Sequence, residues 1–197
     1  MQAKQVNHTE LPLMPLSNHV LTGGILPLRV FEARYLRMLK NSYNNGHAFG
    51  LCMLNANGKV EDNTHIYSIG TLVEIIDFEK LDDGQLGITV KGVRPFKINS
   101  ISAETDGLCV ANVTFTQAWA EANLEPELEF LVERLQELYL NYPELAALYT
   151  EPEWHNRSWL AQRWLEVLPL SPKQKQALLS HDHSNHCIDF LARSFQK

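Results

Sequence analysis

Near residue 118 the chain changes the period at which its apolar residues recur, and this restricts it to folds that join a β-rich unit to a helical one. Before that point the sequence is rich in β-branched residues, glycine and short alternating runs. After it, Leu, Glu, Gln and Trp recur at helical spacing. Leu11-Pro12-Leu13-Met14-Pro15-Leu16 alternates apolar residues with proline, which cannot donate to a ladder, and predicts an edge strand or extended segment. Gly23-Gly24 marks a loop. Phe31, Tyr35, Leu36, Met38 and Leu39 predict one face of a helix of about three turns, ended by Asn44-Asn45-Gly46.

His47–Leu54 reads as a buried strand, and Ile66, Ile69 and Leu72–Phe78 supply one or two more. Asp82-Asp83-Gly84 predicts a hairpin turn, because Asp and Gly tolerate positive φ. Leu86, Ile88 and Val90 alternate after it, and Arg94–Ile98 continues extended. Leu108 and Val110 share one phase, Val113 and Phe115 the other, which predicts a bulge near Ala111-Asn112. Closely spaced strands around one helix suggest a small, strongly bent sheet or barrel, without the βαβ rhythm of a parallel sheet.

The second part predicts about four helices. Leu128, Leu131, Val132, Leu135, Leu138 and Tyr139 form a stripe after Pro126, and Pro143 ends it. A short helix follows at Leu145–Tyr149, and Trp159, Leu160, Trp164, Leu165 and Leu168 mark another, stopped by Pro169. Ser171-Pro172-Lys173-Gln174 is a helix start with a capping box. Asp182 is the expected cap of a last helix burying Cys187, Ile188, Leu191 and Phe195. The class is therefore α+β: a bent β-sheet or barrel over residues 1–118, then a helical bundle over 119–197.

Composition excludes several classes of function. In 197 residues, 45% hydrophobic and 20% charged content rules out a disordered or collagenous chain. A net charge of −6 gives no global footprint for nucleic acid or anionic membrane. Cys52, Cys109 and Cys187 are scattered and odd in number, which fits a reducing compartment. No apolar run reaches the roughly 18–20 residues of a membrane span, and Met1–Glu10 lacks an apolar signal core, so a cytoplasmic protein with no membrane partner is expected.

Residue patterns that carry chemistry are few. There is no phosphate-binding G-x-x-x-x-G-K-[ST], no H-E-x-x-H and no G-x-S-x-G, so no catalytic residue and no cofactor is assigned. His181, His183, His186 and Cys187 carry zinc-ligand chemistry, and are the sole support for a small metal-dependent hydrolase. They straddle a turn and a helix start, which explains polar residues there, so no metal site is assigned. The run from Glu121 to Glu133 reads as a solvated helix face, and Trp154, Trp159 and Trp164 as core. Arg29, Arg34, Arg37 and Lys40, then Lys91, Arg94 and Lys97, interleave with Phe31, Tyr35 and Phe96. That pattern allows nucleic-acid contact; ion pairs on a solvated surface, such as Glu32 with its neighbouring arginines, are the plainer account.

Leu11–Leu16, then Leu26-Pro27-Leu28-Arg29-Val30-Phe31-Glu32-Ala33-Arg34-Tyr35, resembles the opening of the Lon protease N-terminal domain, especially its small stand-alone bacterial versions. Phe49-Gly50-Leu51, Ile69–Ile75, Asp83-Gly84 and Arg94–Ile98 resemble later strands of that family in the same order, and Leu165–Leu170, Lys173–Leu179 and Asp182 onward resemble its terminal bundle. The resemblance implies a PUA-like β fold followed by helices, and a non-catalytic module that captures protein substrates, since the ATPase and Ser-Lys peptidase of the full protease lie downstream. Its expected partners are unfolded or specific protein segments, with a separate protease or chaperone as the machine it serves. The motif residues carried over as peptide-binding candidates are Pro27, Arg29, Phe31 and Tyr35. Phe31 and Tyr35 are expected to pack the helix onto the sheet, and Glu32 and Arg34 to pair. The alternative, an RNA-binding PUA-like protein, rests on Arg34, Arg37, Lys91, Arg94 and Lys97. An apolar groove between the two parts is the expected ligand position.

Overall fold

A computed structural model describes residues 9–45 and 48–195. The polar Met1–His8 stretch, the turn residue Gly46 and His47 lie outside the described residues. Six strands come first: β1 (Thr9–Leu16), β2 (Ile25–Val30), β3 (Phe49–Leu54), β4 (Ile66–Lys80), β5 (Leu86–Ala103) and β6 (Cys109–Phe115), with helix α1 (Ala33–Asn45) between β2 and β3. A 3-10 turn at Pro126–Leu128 leads into α2 (Glu129–Asn141), α3 (Pro143–Ala146), α4 (Arg157–Val167), α5 (Pro172–Leu179) and α6 (Asn185–Phe195). This is the α+β order expected from the change of period.

The sheet runs β2-β5-β4-β3-β1-β6, and a further β5–β6 pairing closes β1, β3, β4, β5 and β6 into a barrel with β2 as a flap. Closure depends on the length of β5. Its first half holds β2 through Leu86–Lys91 and its second half holds β6 through Phe96–Ala103. The one or two strands expected over Ile66–Phe78 are a single strand, β4, and the extended Arg94–Ile98 stretch continues Leu86–Val90 within β5.

β1 is not an edge strand. It lies between β3, to which it is parallel, and β6. Its partners overlap only at Leu13: Pro12 faces only β6 and Pro15 only β3. Each proline therefore sits where one flank of the strand is unpaired, so its missing N–H breaks no ladder. The expected bulge belongs to the neighbouring strand. Ile98 pairs with Val113 and Ser100 with Asn112, so Asn99 of β5 is the extra residue, while Ala111 and Val113 of β6 alternate regularly into the core.

Three apolar clusters organise the molecule. Leu11, Leu13, Cys52, Ile66, Phe96, Ala111 and Val113 fill the barrel. Gly50 and Gly70 flank the Phe96 ring, and a Cβ at either would lie about 2.6 or 2.5 Å from it. The second cluster packs Met38 and Leu39 of α1 against Val30, Val73, Ile88 and Val90. Helix α1 starts at Ala33, after the Glu32 carbonyl accepts from the Tyr35 and Leu36 N–H groups. Phe31 precedes the helix and is 66% exposed, so it does not pack the helix down; Tyr35 does, at the margin of the cluster.

The third cluster is the bundle, in which Leu131, Leu135, Leu160, Leu165, Ile188 and Leu191 are fully enclosed together with Trp119 and Leu21 from outside the helices. Helix α4 is buried over Ser158–Leu165, and Trp159 and Trp164 are core as expected. The Ser171–Gln174 capping box forms on α5. Asp182 does not cap α6: the helix begins at Asn185, and the Ser184 carbonyl takes its first bond, from Ile188.

Gly92 hydrogen-bonds the β1–β2 loop, accepting from Gly23 at 2.8 Å and donating to the Gly24 carbonyl at 2.9 Å. A Cβ there would run into the Leu21 carbonyl oxygen, which these bonds hold fast. Gly84, at the β4–β5 turn with φ +81°, has open space around it. Gly92→Ala is expected to cost about 3 kcal/mol of unfolding free energy by overpacking, and Gly84→Ala about 1 kcal/mol of backbone strain. Denaturant unfolding midpoints compare them; equal effects would contradict the assigned role of Gly92.

Candidate binding cleft between barrel and bundle

Polar contacts fasten the bundle to the barrel. The strongest is built on α4. Arg163, fully buried, and Glu166 form an ion pair with Nε 2.7 Å from Oε2, and Arg163 Nη2 donates to Glu166 Oε1 at 3.0 Å. The pair grips the β1–β2 loop: the Leu21 N–H donates to Glu166 Oε1 at 2.7 Å, and Arg163 Nη2 donates to the Thr22 carbonyl at 3.2 Å. The guanidinium also lies 5.5 Å from the ring centres of Tyr149 and Trp159, giving it an aromatic face in place of water. Burial pushes the Glu166 carboxyl up, opposed by Arg163 and the Leu21 N–H, and pushes the Tyr149 hydroxyl up to about 12. A Cβ on Gly24 would collide with Glu166, so the loop can approach only as glycine.

The second contact is the Gln176 side chain on β4, whose Oε1 accepts from the Ile69 N–H at 3.0 Å while Nε2 donates to the Ile69 carbonyl at 2.8 Å. A further one is the Tyr149 hydroxyl, which accepts from the Ile25 N–H of β2 at 3.3 Å, and within the bundle the Trp119 indole N–H donates to the His181 carbonyl at 2.8 Å.

Between these contacts lies a cleft of about 580 Å3, within the range of small-ligand and peptide sites. Its barrel wall is made by Leu51–Met53, Ser68–Thr71 and Pro95–Lys97, and its bundle wall by Gln162 and Leu179–His183. His19–Thr22 and the connector Thr116–Ala120 close the ends. Ile69 and Leu179 are half-buried apolar residues of its walls, with Leu21, Phe96 and Trp119 buried beneath; Lys97 and Asp182 bring one formal charge of each sign. A charge-balanced, amphipathic lining of this kind suits an extended polypeptide better than a polyanion.

His19 is the unusual polar group of the cleft. Its Nε2 is buried without a hydrogen-bond partner. Burial, then the charges of Lys175 and Arg163, lower its pKa from 6.5 to about 3, against the opposing effect of the Leu165 carbonyl.

The sequence-derived candidates fall elsewhere. Pro27 and Arg29 are exposed on β2, where Arg29 pairs with Asp83 at 2.9 Å, and Phe31 and Tyr35 lie at the turn into α1. None of these four lines the cleft. Glu32 and Arg34 do pair, at 2.6 Å. Of the nucleic-acid set, only Lys97 lines the cleft. Arg34 is held by Glu32 and the Gly107 carbonyl, Arg37 by Glu104 and Asp106, and Arg94 stacks 4.4 Å from the Phe115 ring centre, while Lys91 is exposed opposite Glu74. Cys187 is enclosed in the bundle core, where burial pushes its thiol up to about 12, and the His181 and His186 rings stack at 3.8 Å. Among the described residues no group of three or more His, Cys, Asp or Glu is arranged to hold a metal ion.

Sequence reasoning did not pick out Arg163, Glu166, Gln176 or His19. The first two did leave a signal: charges at i, i+3 in a helix that is otherwise apolar on nearly every side must be paired. A lone histidine and a helix glutamine leave none.

Comparison with known proteins agrees with this architecture. The profile of the family described as the ATP-dependent protease La (LON) substrate-binding domain matches residues 10–184. A crystal structure of a Lon N-terminal domain protein from Xanthomonas campestris superposes with a TM-score of 0.75 at 29% identity, covering 94% of this chain and 98% of that one. The N-terminal domain of Lon protease from the Mycobacterium avium complex shares the fold, with a TM-score of 0.61 at 16% identity, over 93% of this chain and 96% of that one. Lon protease of Buchnera aphidicola is 25% identical over 97% of this chain, and that of Flavobacterium johnsoniae 23% identical over 90%. The chain spans about a quarter of the length of these curated relatives, 25% and 23% respectively. It belongs to the Lon substrate-binding domain family. No helix among the described residues is long and apolar enough to cross a membrane.

Two outcomes test this account of the junction. Glu166→Gln strips the charge partner from a buried guanidinium and is expected to destabilise the fold by about 3–5 kcal/mol, read by calorimetry. An effect below about 1 kcal/mol would mean the pair is not structural. For His19, the unfolded chain takes up a proton below pH 6.5 that the folded chain refuses until about pH 3. Stability contributed by this residue is therefore complete above pH 6.5 and lost as pH falls through that window, at up to about 1.4 kcal/mol per pH unit. His19→Gln is expected to flatten that part of the stability–pH curve; an unchanged slope would show that His19 is hydrated.

Proposed function

We propose that this chain is a non-catalytic recognition module that binds unfolded or specific protein segments in the barrel–bundle cleft, and that it presents them to a separate protease or chaperone in the cytoplasm. The observation that carries the reading is the cleft itself: an amphipathic trough without excess charge at the junction of two packed units, in a chain of the Lon substrate-binding domain family. We take residues 1–118 and 119–197 as those two units, the first holding the barrel and the second the bundle. Pro27, Arg29, Phe31 and Tyr35 form a second candidate surface at the β2–α1 corner, where the exposed Phe31 ring offers apolar area.

The test is fluorescence anisotropy with a labelled, reduced and carboxymethylated unfolded protein, repeated at low and high salt. The expected result is saturable binding that survives the higher salt, weakened at least tenfold by Ser68→Trp. Ser68 is exposed at the cleft, so the new ring fills the mouth without entering a core. Loss of binding with Phe31→Ala but not with Ser68→Trp would move the site to the β2–α1 corner. Salt-sensitive binding of labelled RNA, with none to the unfolded protein, would overturn the reading in favour of nucleic acid.

A further inference from the structure

The ladder between β3 and β4 contains a gap beside the cleft. Cys52 pairs with Gly70 and Leu54 with Ile66, so Met53 alone stands opposite Tyr67, Ser68 and Ile69. The Ile69 N–H and carbonyl receive nothing from β3. They are satisfied by the Gln176 carboxamide, which accepts from one at 3.0 Å and donates to the other at 2.8 Å. These are the two bonds that one residue of an antiparallel neighbour makes in a hydrogen-bonded pair. A side chain on the bundle thus copies a strand residue, on a stretch of β4 where Ser68 is exposed, Ile69 half-buried and both line the cleft.

We infer that Ile69 is a main-chain docking point of the cleft and that Gln176 is its removable placeholder: an extended polypeptide in the cleft displaces the carboxamide and takes the Ile69 N–H and carbonyl with its own backbone. This rests on the cleft being the protein-binding site and adds how it recognises its ligand. The exchange replaces two hydrogen bonds by two of the same kind, so neither Ile69 group is stranded. Only the Gln176 carboxamide, on a residue 8% exposed, must find new partners, and its α5 neighbours Ala177 and Ser180 are exposed. Main-chain recognition also defines the ligand chemistry. The cleft accepts many side chains but requires a free amide N–H at the docking residue, so proline or an N-methylated residue there is refused. Gln176 is a positioning residue in this scheme: it competes with ligand while keeping the bundle in register with β4.

The experiment compares the full chain with Gln176→Met, which keeps the side-chain volume and removes both bonds, using an unfolded, proline-free labelled peptide and its backbone N-methylated counterpart. Gln176→Met is expected to bind the peptide about fivefold more tightly or better, since ligand no longer competes with the carboxamide. The N-methylated peptide is expected to lose at least tenfold in affinity for both proteins. Amide exchange followed by NMR supplies the readout a purely structural role would not move. The Ile69 N–H should exchange faster in free Gln176→Met than in wild type, and regain protection when peptide saturates. Equal or weaker binding by the variant, or an Ile69 amide left unprotected in the complex, overturns the inference while leaving the cleft as the binding site. Absence of binding by either protein overturns both. If Gln176→Met does not fold, wild type carries the test: peptide must speed exchange of the Gln176 side-chain amide protons while the Ile69 N–H stays protected, and an unaffected carboxamide refutes the scheme.

Discussion

The arrangement of this molecule turns on the buried Arg163–Glu166 pair. Removing two charges from water is costly, and the pair is tolerable only because each partner finds further polar or aromatic contacts. Those contacts are the Leu21 N–H, the Thr22 carbonyl and the rings of Tyr149 and Trp159. The loop that satisfies the pair also bonds Gly92 of β5 through Gly23 and Gly24. One ion pair therefore links the central helix of the bundle to the long strand that closes the barrel. The distance between the two units, and with it the width of the cleft, follows from this linkage.

The cleft is shaped by contacts that differ in how easily they are exchanged. Around Arg163 the groups are buried and charged, and glycine is required for approach, so movement there would strand a charge. The Gln176–Ile69 contact is neutral and lies beside exposed residues, so a ligand can replace it bond for bond. The junction thus has a firm hinge on one side and an exchangeable contact on the other.

Much of the fold is legible in the sequence because local physics decides it. The Asp82-Asp83-Gly84 turn, the Ser171–Gln174 capping box and the Leu131–Tyr139 stripe are short-range features, and all appear in place. Misread elements depend on distant partners. Two prolines in β1 suggest an edge, yet the strand is interior because its neighbours change at Leu13. The phase slip near Ala111 reflects an extra residue on the opposite strand, Asn99. Asp182 has the chemistry of a cap but lies three positions before the first helical residue. The cleft was legible only as a junction between two textures. Its lining comes from seven separate stretches of chain, and no sequence period connects them.

We propose that the cleft, and not the β2–α1 corner, receives polypeptide. Amide chemical-shift mapping of isotope-labelled protein titrated with an unfolded peptide tests it most directly. The expected result is shifts concentrated at Leu51–Met53, Ser68–Thr71 and Leu179–His183, on both walls of the cleft. Shifts confined to Ile25–Tyr35, with both walls silent, would contradict it.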